Sequence, residues 1–237
     1  MDTDKTGSSA VQACLARLAT GLLPMTLPRV YPILDTASLE RCGIAVESAA
    51  AAFLEGGAGI LQIRHKAAWT RDFLAQARTV ARLCRENGTP LIVDDRTDFA
   101  LLLEAGLHVG QDDLEPRDAR KLIGPDATLG YSSHNMAQIV AAGGEPVDYV
   151  AIGPIFATSS KRNPDPAVGV EEIRRCRALI DKPLVAIGGI TLANAPDVWG
   201  AGADSVAIIG GLLPAPASAR ALRERMEEWR ALSSGRR

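Results

Sequence analysis

The sequence predicts an α/β fold, a single (β/α)8 TIM barrel with a short N-terminal helical extension. From Val30 onward, short β-branched or aliphatic runs alternate with longer segments of helical periodicity, eight of each. The chain has 237 residues, about the length that one such barrel needs. A doubly wound open sheet is the alternative, but residues 31–35 read YPILD, without the glycine-rich turn that usually follows its first strand.

The predicted strands and helices alternate along the chain, and each strand is a short apolar run. The strands are expected near Val30–Leu34, Gly59–Ile63, Leu91–Val93, Leu107–Val109, Thr128–Tyr131, Tyr149–Ile152, Leu184–Ile187 and Val206–Ile209. The helices are expected near Ile44–Glu55, Arg71–Asn87, Asp98–Glu104, Pro116–Ile123, Asn135–Ala142, Val170–Leu179, Leu192–Ala201 and Ala217–Leu232. Glycine-containing segments before several strands fit helix C-caps that return the chain to the bottom of the barrel.

The domain organisation follows from the same pattern. Residues 1–28 are predicted to be an N-terminal extension with a short amphipathic helix at Ser9–Thr20, which Gly21 and Pro24 end. Residues 29–232 are the predicted catalytic barrel, and residues 233–237 are a predicted disordered tail.

Composition and charge narrow the classes of partner. The 26 basic and 28 acidic residues give a net charge of -2, so no basic field attracts nucleic acid or anionic lipid. No segment approaches about 20 uninterrupted apolar residues, and the start has no convincing cleavage signal. Four cysteines without C-x-x-C spacing indicate reduced thiols. We expect a cytoplasmic protein without nucleic-acid or membrane partners, and a homodimer is one open alternative.

Pairs of carboxylates follow two successive predicted strands. Leu91–Val93 ends on Asp94 and Asp95, and Leu107–Val109 is followed by a segment that ends on Asp113. Because right-handed crossovers put the C-terminal ends of parallel strands on the same side, these acids should face one mouth. Aspartate often caps helices, but two pairs favour a Mg²⁺ site with Asp95 and Asp113 as ligands.

Cations and hydroxyls follow other predicted strands. Alternation sends Gln62, Arg64 and Lys66 to one side of the second strand, which suits a polyanion such as pyrophosphate, although a solvated rim is the alternative. After the fifth strand, Ser132 offers a hydroxyl, and His134 is interpreted as a capping or packing residue rather than a catalytic base. Ser133 and Asn135 are both candidate caps of the next helix.

The last three strand ends suggest a second anion site. The loop after the sixth strand contains Thr158, Ser160 and Lys161, which fit a phosphate-binding turn or a mobile lid. Glycine pairs after the seventh and eighth strands lie where barrels commonly bind a phosphate on backbone amides. Two anion sites at one mouth imply two phosphorylated substrates, one of which loses a pyrophosphate.

The chain resembles thiamine phosphate synthase over Val30–Met226. The resemblance rests on the segments QIRHK (62–66), IVDDR (92–96), HVGQDD (108–113), GYSSH (130–134), GPIFATSSK (153–161) and AIGGI (186–190). It implies an enzyme that joins 4-amino-2-methyl-5-hydroxymethylpyrimidine pyrophosphate to a thiazole phosphate, with Mg²⁺ as cofactor and a carbocation-like pyrimidine on the path.

The resemblance also implies roles for individual residues. Those implied for the pyrimidine pyrophosphate are Gln62, Ile63, Arg64, His65, Lys66, Asp94, Ser132 and Lys161. Those implied for the thiazole phosphate are Thr158, Ser159, Ser160, Gly188, Gly189, Ile209 and Gly210. Arg64, Lys66, Ser132 and Lys161 would be catalytic, because they act on the leaving group, and Asp95 and Asp113 would bind the metal.

Two residues depart from the family's pattern. Asp94 stands where asparagine is usual, and Gly210 stands where a serine usually helps bind the thiazole phosphate. An unpaired carboxylate beside pyrophosphate is repulsive, by near 4 kcal/mol at about 4 Å and an effective dielectric of about 20, so Asp94 is hypothesised to join the metal shell. The alternatives are a thiazole tautomerase on the same barrel, which ordinarily lacks the second metal aspartate, and a non-catalytic barrel that binds a thiamine precursor.

Overall fold

Eight parallel strands close into a barrel in sequence order in the computed structural model, which describes residues 26–158 and 166–235. The strands are β1 (Val30–Asp35), β2 (Leu61–Arg64), β3 (Leu91–Asp94), β4 (Gly106–Val109), β5 (Leu129–Ser133), β6 (Tyr149–Ile152), β7 (Leu184–Ile187) and β8 (Ser205–Ile208). The predicted (β/α)8 fold is confirmed. The helix predicted at Ser9–Thr20 lies outside the described residues.

The described residues form nine α-helices and one short 3-10 helix, Gly210–Leu212. The α-helices are α1 (Thr36–Arg41), α2 (Val46–Glu55), α3 (Arg71–Glu86), α4 (Thr97–Leu103), α5 (Pro116–Ile123), α6 (Met136–Gly143), α7 (Val170–Arg177), α8 (Ala195–Gly200) and α9 (Ala219–Ser233). Several begin at the side-chain caps expected of such helices, including Thr70 before α3 and Ser218 before α9.

Several element boundaries differ from the predicted ones by one to three residues, and strand β5, for example, ends at Ser133 rather than Tyr131. Strand β2 begins at Leu61 rather than Gly59, and Gly59 packs so closely on Pro28 that a β-carbon would lie 2.9 Å from its ring. Helix α8 begins at Ala195 rather than Leu192, after a turn in which Asn194 Oδ1 accepts the Thr191 N–H over 2.7 Å. Helix α1 was not predicted, and six residues are too few to show helical periodicity.

The apolar core has two layers, as a barrel requires. The larger lies between the strands and the helices, and a smaller one, which includes Ile33, Ile60, Ile92 and Val185, fills the inside of the barrel. Among the described residues, no helix is long and apolar enough to cross a membrane. The three cysteines in this part of the chain are free thiols, and Cys14 lies outside it.

The strand register sets the level of the functional groups. Asp35 pairs with Arg64 between β1 and β2, and Asp94 pairs with His108 between β3 and β4. Because all eight strands are parallel, these C-terminal residues lie around one mouth of the barrel.

Candidate active site

Five charged side chains at the C-terminal ends of β1, β2 and β3, or just beyond them, form a ladder of alternating sign. Arg64 Nη1 donates to Asp35 Oδ2 over 2.6 Å, and Arg64 Nε lies 3.5 Å from Asp94 Oδ2. Lys66 Nζ lies 3.0 Å from the same Asp94 oxygen and also donates to Asp95 Oδ2. The two cations therefore face carboxylates in the mouth, with the Arg64 side chain mostly buried and the Lys66 side chain partly exposed.

The paired aspartates do not cap the helices that follow them. The N-cap positions of α4 and α5 are Arg96 and Glu115, and neither makes a side-chain cap bond. The capping alternative therefore does not explain the aspartates at these two strand ends.

Asp94 is a buried carboxylate whose Oδ2 has no well-directed hydrogen bond. Its Oδ2 is close to Lys66 and Arg64, but neither nitrogen points at it well enough to form one. Burial and the neighbouring charge of Asp95 raise the pKa of Asp94 to about 6, although Lys66 and Arg64 act in the opposite direction. Lys66 and Arg64 therefore offset part, but not all, of the cost of ionising Asp94.

Replacing Asp94 by asparagine is expected to raise the melting temperature of the metal-free protein at about pH 8. The folded-state pKa of about 6 lies above the ordinary 3.8, so the folded protein holds this proton more tightly than the unfolded chain. The cost of ionising Asp94 is therefore absent below about pH 4, grows to about pH 6 and is complete at about pH 8. This cost of ionisation is at most about 3 kcal/mol, which is the energy that corresponds to the rise of the pKa from 3.8 to about 6. The raised pKa already includes the attraction of the two cations.

Asp98→Asn is the matched control for this measurement. The hydrogen bond from Arg96 lowers the pKa of Asp98, so removing that carboxylate should not raise the melting temperature at about pH 8. Thermal unfolding of both variants and the wild type between about pH 4 and 8 tests the expectation. A stabilisation by Asp94→Asn that stays the same across this range would contradict the raised pKa.

Asp95 adopts a left-handed backbone conformation. Its φ is 62°, which non-glycine residues seldom take and which aspartate and asparagine tolerate best. The Arg96 N–H donates to the Asp94 carbonyl over 2.8 Å, and the Asp95 N–H donates to the His108 carbonyl over 2.8 Å. This tight turn ties the end of β3 to β4 and sets the Asp95 carboxylate against Lys66.

Asp113 is fixed by a turn of its own after β4. Its Oδ2 accepts the Gly110 N–H over 2.8 Å, and a β-carbon at position 110 would lie 3.1 Å from that oxygen. Burial raises the pKa of Asp113, the Gly110 bond lowers it, and the neighbouring Asp95 carboxylate raises it again. The two predicted metal ligands are thus close neighbours.

The donor set at Asp95 and Asp113 fits Mg²⁺ when phosphates complete the shell. Within residues 26–158 and 166–235, no group of three or more His, Cys, Asp or Glu side chains could hold a metal ion alone. Mg²⁺ does not need such a group, since one or two carboxylates usually bind it together with substrate phosphates and waters.

A chain of hydrogen bonds crosses the inside of the barrel. Gln62 Nε2 donates to Tyr31 Oη over 3.2 Å, and this hydroxyl lies 3.0 Å from Tyr149 Oη. Tyr149 Oη lies 2.9 Å from His108 Nδ1, and His108 Nε2 lies 2.8 Å from Ser132 Oγ. Gln62 and Ser132, both predicted to bind the pyrimidine pyrophosphate, are therefore the two ends of one chain.

The close packing of this chain depends on Gly130. A β-carbon at position 130 would lie 2.1 Å from the Tyr149 ring and 2.5 Å from His108 Nδ1, so only glycine fits. Burial raises the pKa of both Tyr31 and Tyr149 well above the ordinary value, which keeps both hydroxyls protonated as hydrogen-bond partners.

Tyr31, His108 and Tyr149 are absent from the residues predicted by sequence. A signal exists, because each is a polar residue within an otherwise apolar strand, and buried polar groups need hydrogen-bond partners. Their pairing was not readable, because Tyr31 and Tyr149 are 118 residues apart and meet only in the closed barrel.

Two residues of the QIRHK segment, Ile63 and His65, direct their side chains away from the hydrogen-bond chain and from the ladder of charges. Ile63 is packed in the layer between strands and helices. The His65 ring stacks on Phe73 with centroids 3.7 Å apart, and its Nδ1 lies 2.8 Å from Thr36 Oγ1. A contact of these two residues with substrate would therefore use their main chain.

His134 and Asn135 have structural roles at the end of β5. Asn135 Oδ1 accepts the Gln138 N–H and caps α6, while Ser133 is buried. His134 Nδ1 lies 3.0 Å from the Gly153 carbonyl oxygen, which agrees with the capping or packing interpretation.

The glycines after β7 are required by a neighbouring loop. Gly188 and Gly189 have φ values of 101° and 62°, and β-carbons there would lie 2.5 Å from Pro154 and from the Ala157 carbonyl oxygen. The sequence interpretation, in which glycine is needed for an anion to approach, is therefore incomplete. The close approach of the loop after β6 already requires glycine at both positions.

The remaining predicted residues belong to the segments after β6 and β8. Thr158 is described, and Ile209 and Gly210 begin the 3-10 helix after β8. Ser159, Ser160 and Lys161 lie outside the described residues, so their predicted roles stay predictions.

Comparisons with known proteins agree with the sequence resemblance. The family model for thiamine monophosphate synthase matches residues 30–212. The chain is 46% identical over 202 residues to the thiamine-phosphate synthase of Koribacter versatilis. The aligned region covers 84% of this chain and 94% of that protein. It is 43% identical over 218 residues to that of Geobacillus kaustophilus, with coverages of 89% and 96%.

Solved structures give the same result. The thiamine phosphate pyrophosphorylase from Pyrococcus furiosus superimposes with a TM-score of 0.74 at 32% identity, over 87% of this chain and 96% of that one. A Mycobacterium tuberculosis tryptophan synthase chain, at 14% identity and a TM-score of 0.63 over 98% of both chains, shares the barrel fold alone. With the family model matched from the first strand to the 3-10 helix, the chain belongs to the thiamine monophosphate synthase family.

Proposed function

We propose that this protein joins 4-amino-2-methyl-5-hydroxymethylpyrimidine pyrophosphate to a thiazole phosphate, which gives thiamine phosphate and pyrophosphate. The observation that carries the proposal is the ladder in the mouth, where Arg64 lies against Asp94, and Lys66 lies against Asp94 and against Asp95, one of the two proposed metal ligands. Cations beside a carboxylate pair that fits Mg²⁺ suit the departure of a pyrophosphate.

The reaction breaks one bond and forms one. The C–O bond between the pyrimidine methylene carbon and the pyrophosphate breaks, and its electron pair leaves with the pyrophosphate. The electron-poor methylene carbon is then attacked by the thiazole nitrogen, which forms the new C–N bond. Arg64 and Lys66 lower the barrier because the charge on the leaving oxygens is larger in the transition state than in the substrate.

Lys66 can change partner during this reaction. Burial lowers the pKa of Lys66, but Asp94 and Asp95 more than offset this and raise it, so the side chain is an ammonium. Its side chain is 46% exposed, so Nζ can turn from Asp95 to a phosphate oxygen without crossing packed core. Mg²⁺ bound at Asp95 and Asp113 would supply further positive charge to the leaving pyrophosphate.

The second phosphate is proposed to bind at the loops after β6, β7 and β8. The residues proposed for it are Thr158, Ser159, Ser160, Gly188, Gly189, Ile209 and Gly210. Lys161 is proposed to act with Arg64 and Lys66 on the leaving group. Ser132 Oγ, held 2.8 Å from His108 Nε2, is proposed to contact the pyrimidine pyrophosphate.

Thiamine phosphate formation is the direct test of the proposal. The purified protein with both substrates and Mg²⁺ is expected to give thiamine phosphate and pyrophosphate in equal amounts, measured by chromatography and a pyrophosphate assay. Excess EDTA should stop the reaction, and added Mg²⁺ should restore it.

Other outcomes separate the alternatives. Isomerised thiazole phosphate without pyrophosphate release would support the tautomerase, and ligand binding without turnover would support the non-catalytic barrel. Undiminished turnover in excess EDTA would keep the transferase and overturn the proposed Mg²⁺ dependence.

A further inference from the structure

The buried carboxylate of Asp35 touches one of the proposed cations, although nothing above assigns it a role. Asp35 is the last residue of β1 and is 3% exposed. A buried carboxylate is costly unless hydrogen-bond donors or cations surround it. Its Oδ1 accepts from the Ser38 N–H over 2.9 Å and from the Ser38 hydroxyl over 2.6 Å, and its Oδ2 accepts from Arg64 Nη1 over 2.6 Å.

The two oxygens of Asp35 have separate partners. Oδ1 caps helix α1, and Arg41 Nη2 fixes this cap by donating to Ser38 Oγ over 2.9 Å. Oδ2 is not needed for the cap, yet it makes a short, charge-assisted bond to Arg64, its register neighbour on β2. A capping role therefore explains only half of the Asp35 contacts.

Arg64 depends on this second oxygen for a fixed position. A long arginine side chain loses rotamer freedom when it is held in one place, so an ordered guanidinium needs a strong partner. Its other carboxylate contact, Nε to Asp94 Oδ2, is 3.5 Å long and does not meet hydrogen-bond geometry. Asp35 therefore supplies the hydrogen bond that orders the Arg64 guanidinium before a substrate arrives.

We propose that Asp35 is a positioning residue that holds Arg64 in place for the pyrophosphate group. This role rests on the proposed function, in which Arg64 contacts the leaving pyrophosphate. Asp35 acts through Arg64 and does not touch the substrate itself. A cation held in its productive position binds an incoming anion without a further ordering cost, so losing Asp35 weakens the site while Arg64 is still present.

Asp35→Ser separates positioning from capping. Serine caps helices about as well as aspartate, but its single hydroxyl cannot serve both the Ser38 N–H and Arg64. The affinity for inorganic pyrophosphate in the presence of Mg²⁺, measured by calorimetry, is expected to fall about 10- to 100-fold, as for loss of a hydrogen bond to a charged group. Asp35→Asn, which also keeps a capping oxygen, replaces this variant if Asp35→Ser is poorly folded.

Ser38→Ala is the matched control, because it removes one bond to Oδ1 and leaves the bond between Oδ2 and Arg64 intact. It is expected to keep the pyrophosphate affinity within about twofold of the wild type. A loss in Ser38→Ala as large as in Asp35→Ser would assign the effect to helix α1 and overturn the proposal.

A double-mutant cycle with Arg64→Ala tests whether Asp35 acts through Arg64. Adding Asp35→Ser to Arg64→Ala should cause no further loss of pyrophosphate affinity, whereas fully additive losses would overturn the proposal. A wild type that makes thiamine phosphate while Asp35→Ser binds pyrophosphate normally overturns only the role of Asp35. A wild type that neither binds pyrophosphate nor makes thiamine phosphate overturns the proposed function itself.

Discussion

Asp113→Asn is expected to lower kcat for thiamine phosphate formation by at least about 100-fold, because it removes one carboxylate of the proposed Mg²⁺ site. Asparagine can still accept the Gly110 N–H, which Asp113 Oδ2 accepts over 2.8 Å, so the turn after β4 should keep its shape. The variant therefore loses the negative charge of the carboxylate while the side chain keeps its position. Stabilisation of the leaving pyrophosphate by a metal ion contributes several kcal/mol, which corresponds to about this factor or more.

Asp112→Asn is the matched control for this variant. It makes the same chemical change one residue away, at an exposed carboxylate for which the structure shows no contact with Lys66 or Asp95. Steady-state rates at saturating substrates across a Mg²⁺ titration should leave Asp112→Asn near the wild type. If Asp113→Asn keeps the wild-type rate at limiting Mg²⁺, then Asp113 only closes the turn at Gly110.

The placement of Asp95 and Asp113 near each other was predictable because it depends on topology alone. Once the chain reads as a barrel, the right-handed crossover puts the ends of β3 and β4 at one mouth, whatever the side chains do there. The structure adds the two turns that aim the carboxylates, one through the left-handed backbone of Asp95 and one through the Gly110 N–H.

Pairings between distant side chains were not predictable. The sequence places Lys66 and Arg64 at the mouth, but only the structure shows that both lie against Asp94. This changes the view of Asp94, whose charge Lys66 and Arg64 offset in part, although its pKa stays raised. The hypothesis that Asp94 joins the metal shell stays a prediction.

Glycine is the case in which one sequence signal fits two physical causes. A glycine pair after a barrel strand can admit an anion to the backbone, or it can admit a neighbouring loop. At Gly188 and Gly189 the loop after β6 already leaves no room for a side chain, because a β-carbon would meet Pro154 or the Ala157 carbonyl oxygen. The presence of both glycines therefore carries less information about phosphate than the sequence alone indicates.

Lys66→Met is expected to lower kcat by about 100-fold or more and, in the absence of substrate, to strengthen Mg²⁺ binding. Methionine keeps most of the length of the side chain and removes its charge. Lys66 Nζ contacts Asp94 and Asp95 together, so it neutralises the carboxylates that a metal ion would otherwise meet. Without it, Mg²⁺ faces more negative charge and should bind severalfold more tightly, because a charge pair with an exposed lysine is worth about 1 kcal/mol or less and about 1.4 kcal/mol is tenfold in affinity.

The opposite signs of these two effects make the role of Lys66 testable. If Lys66 only holds the mouth together, its loss should weaken metal and pyrophosphate binding alike, because the carboxylates would separate. If it serves the leaving group, pyrophosphate affinity and kcat should fall while metal affinity rises. Lys121→Met is the control, since it removes an exposed ammonium that pairs with Asp118 on the surface of α5, and it should change none of the three quantities. Calorimetric titrations with Mg²⁺ and with pyrophosphate, together with the steady-state rate, decide between these two roles of Lys66. A fall in the Mg²⁺ affinity of Lys66→Met would show that Lys66 does not serve the leaving group.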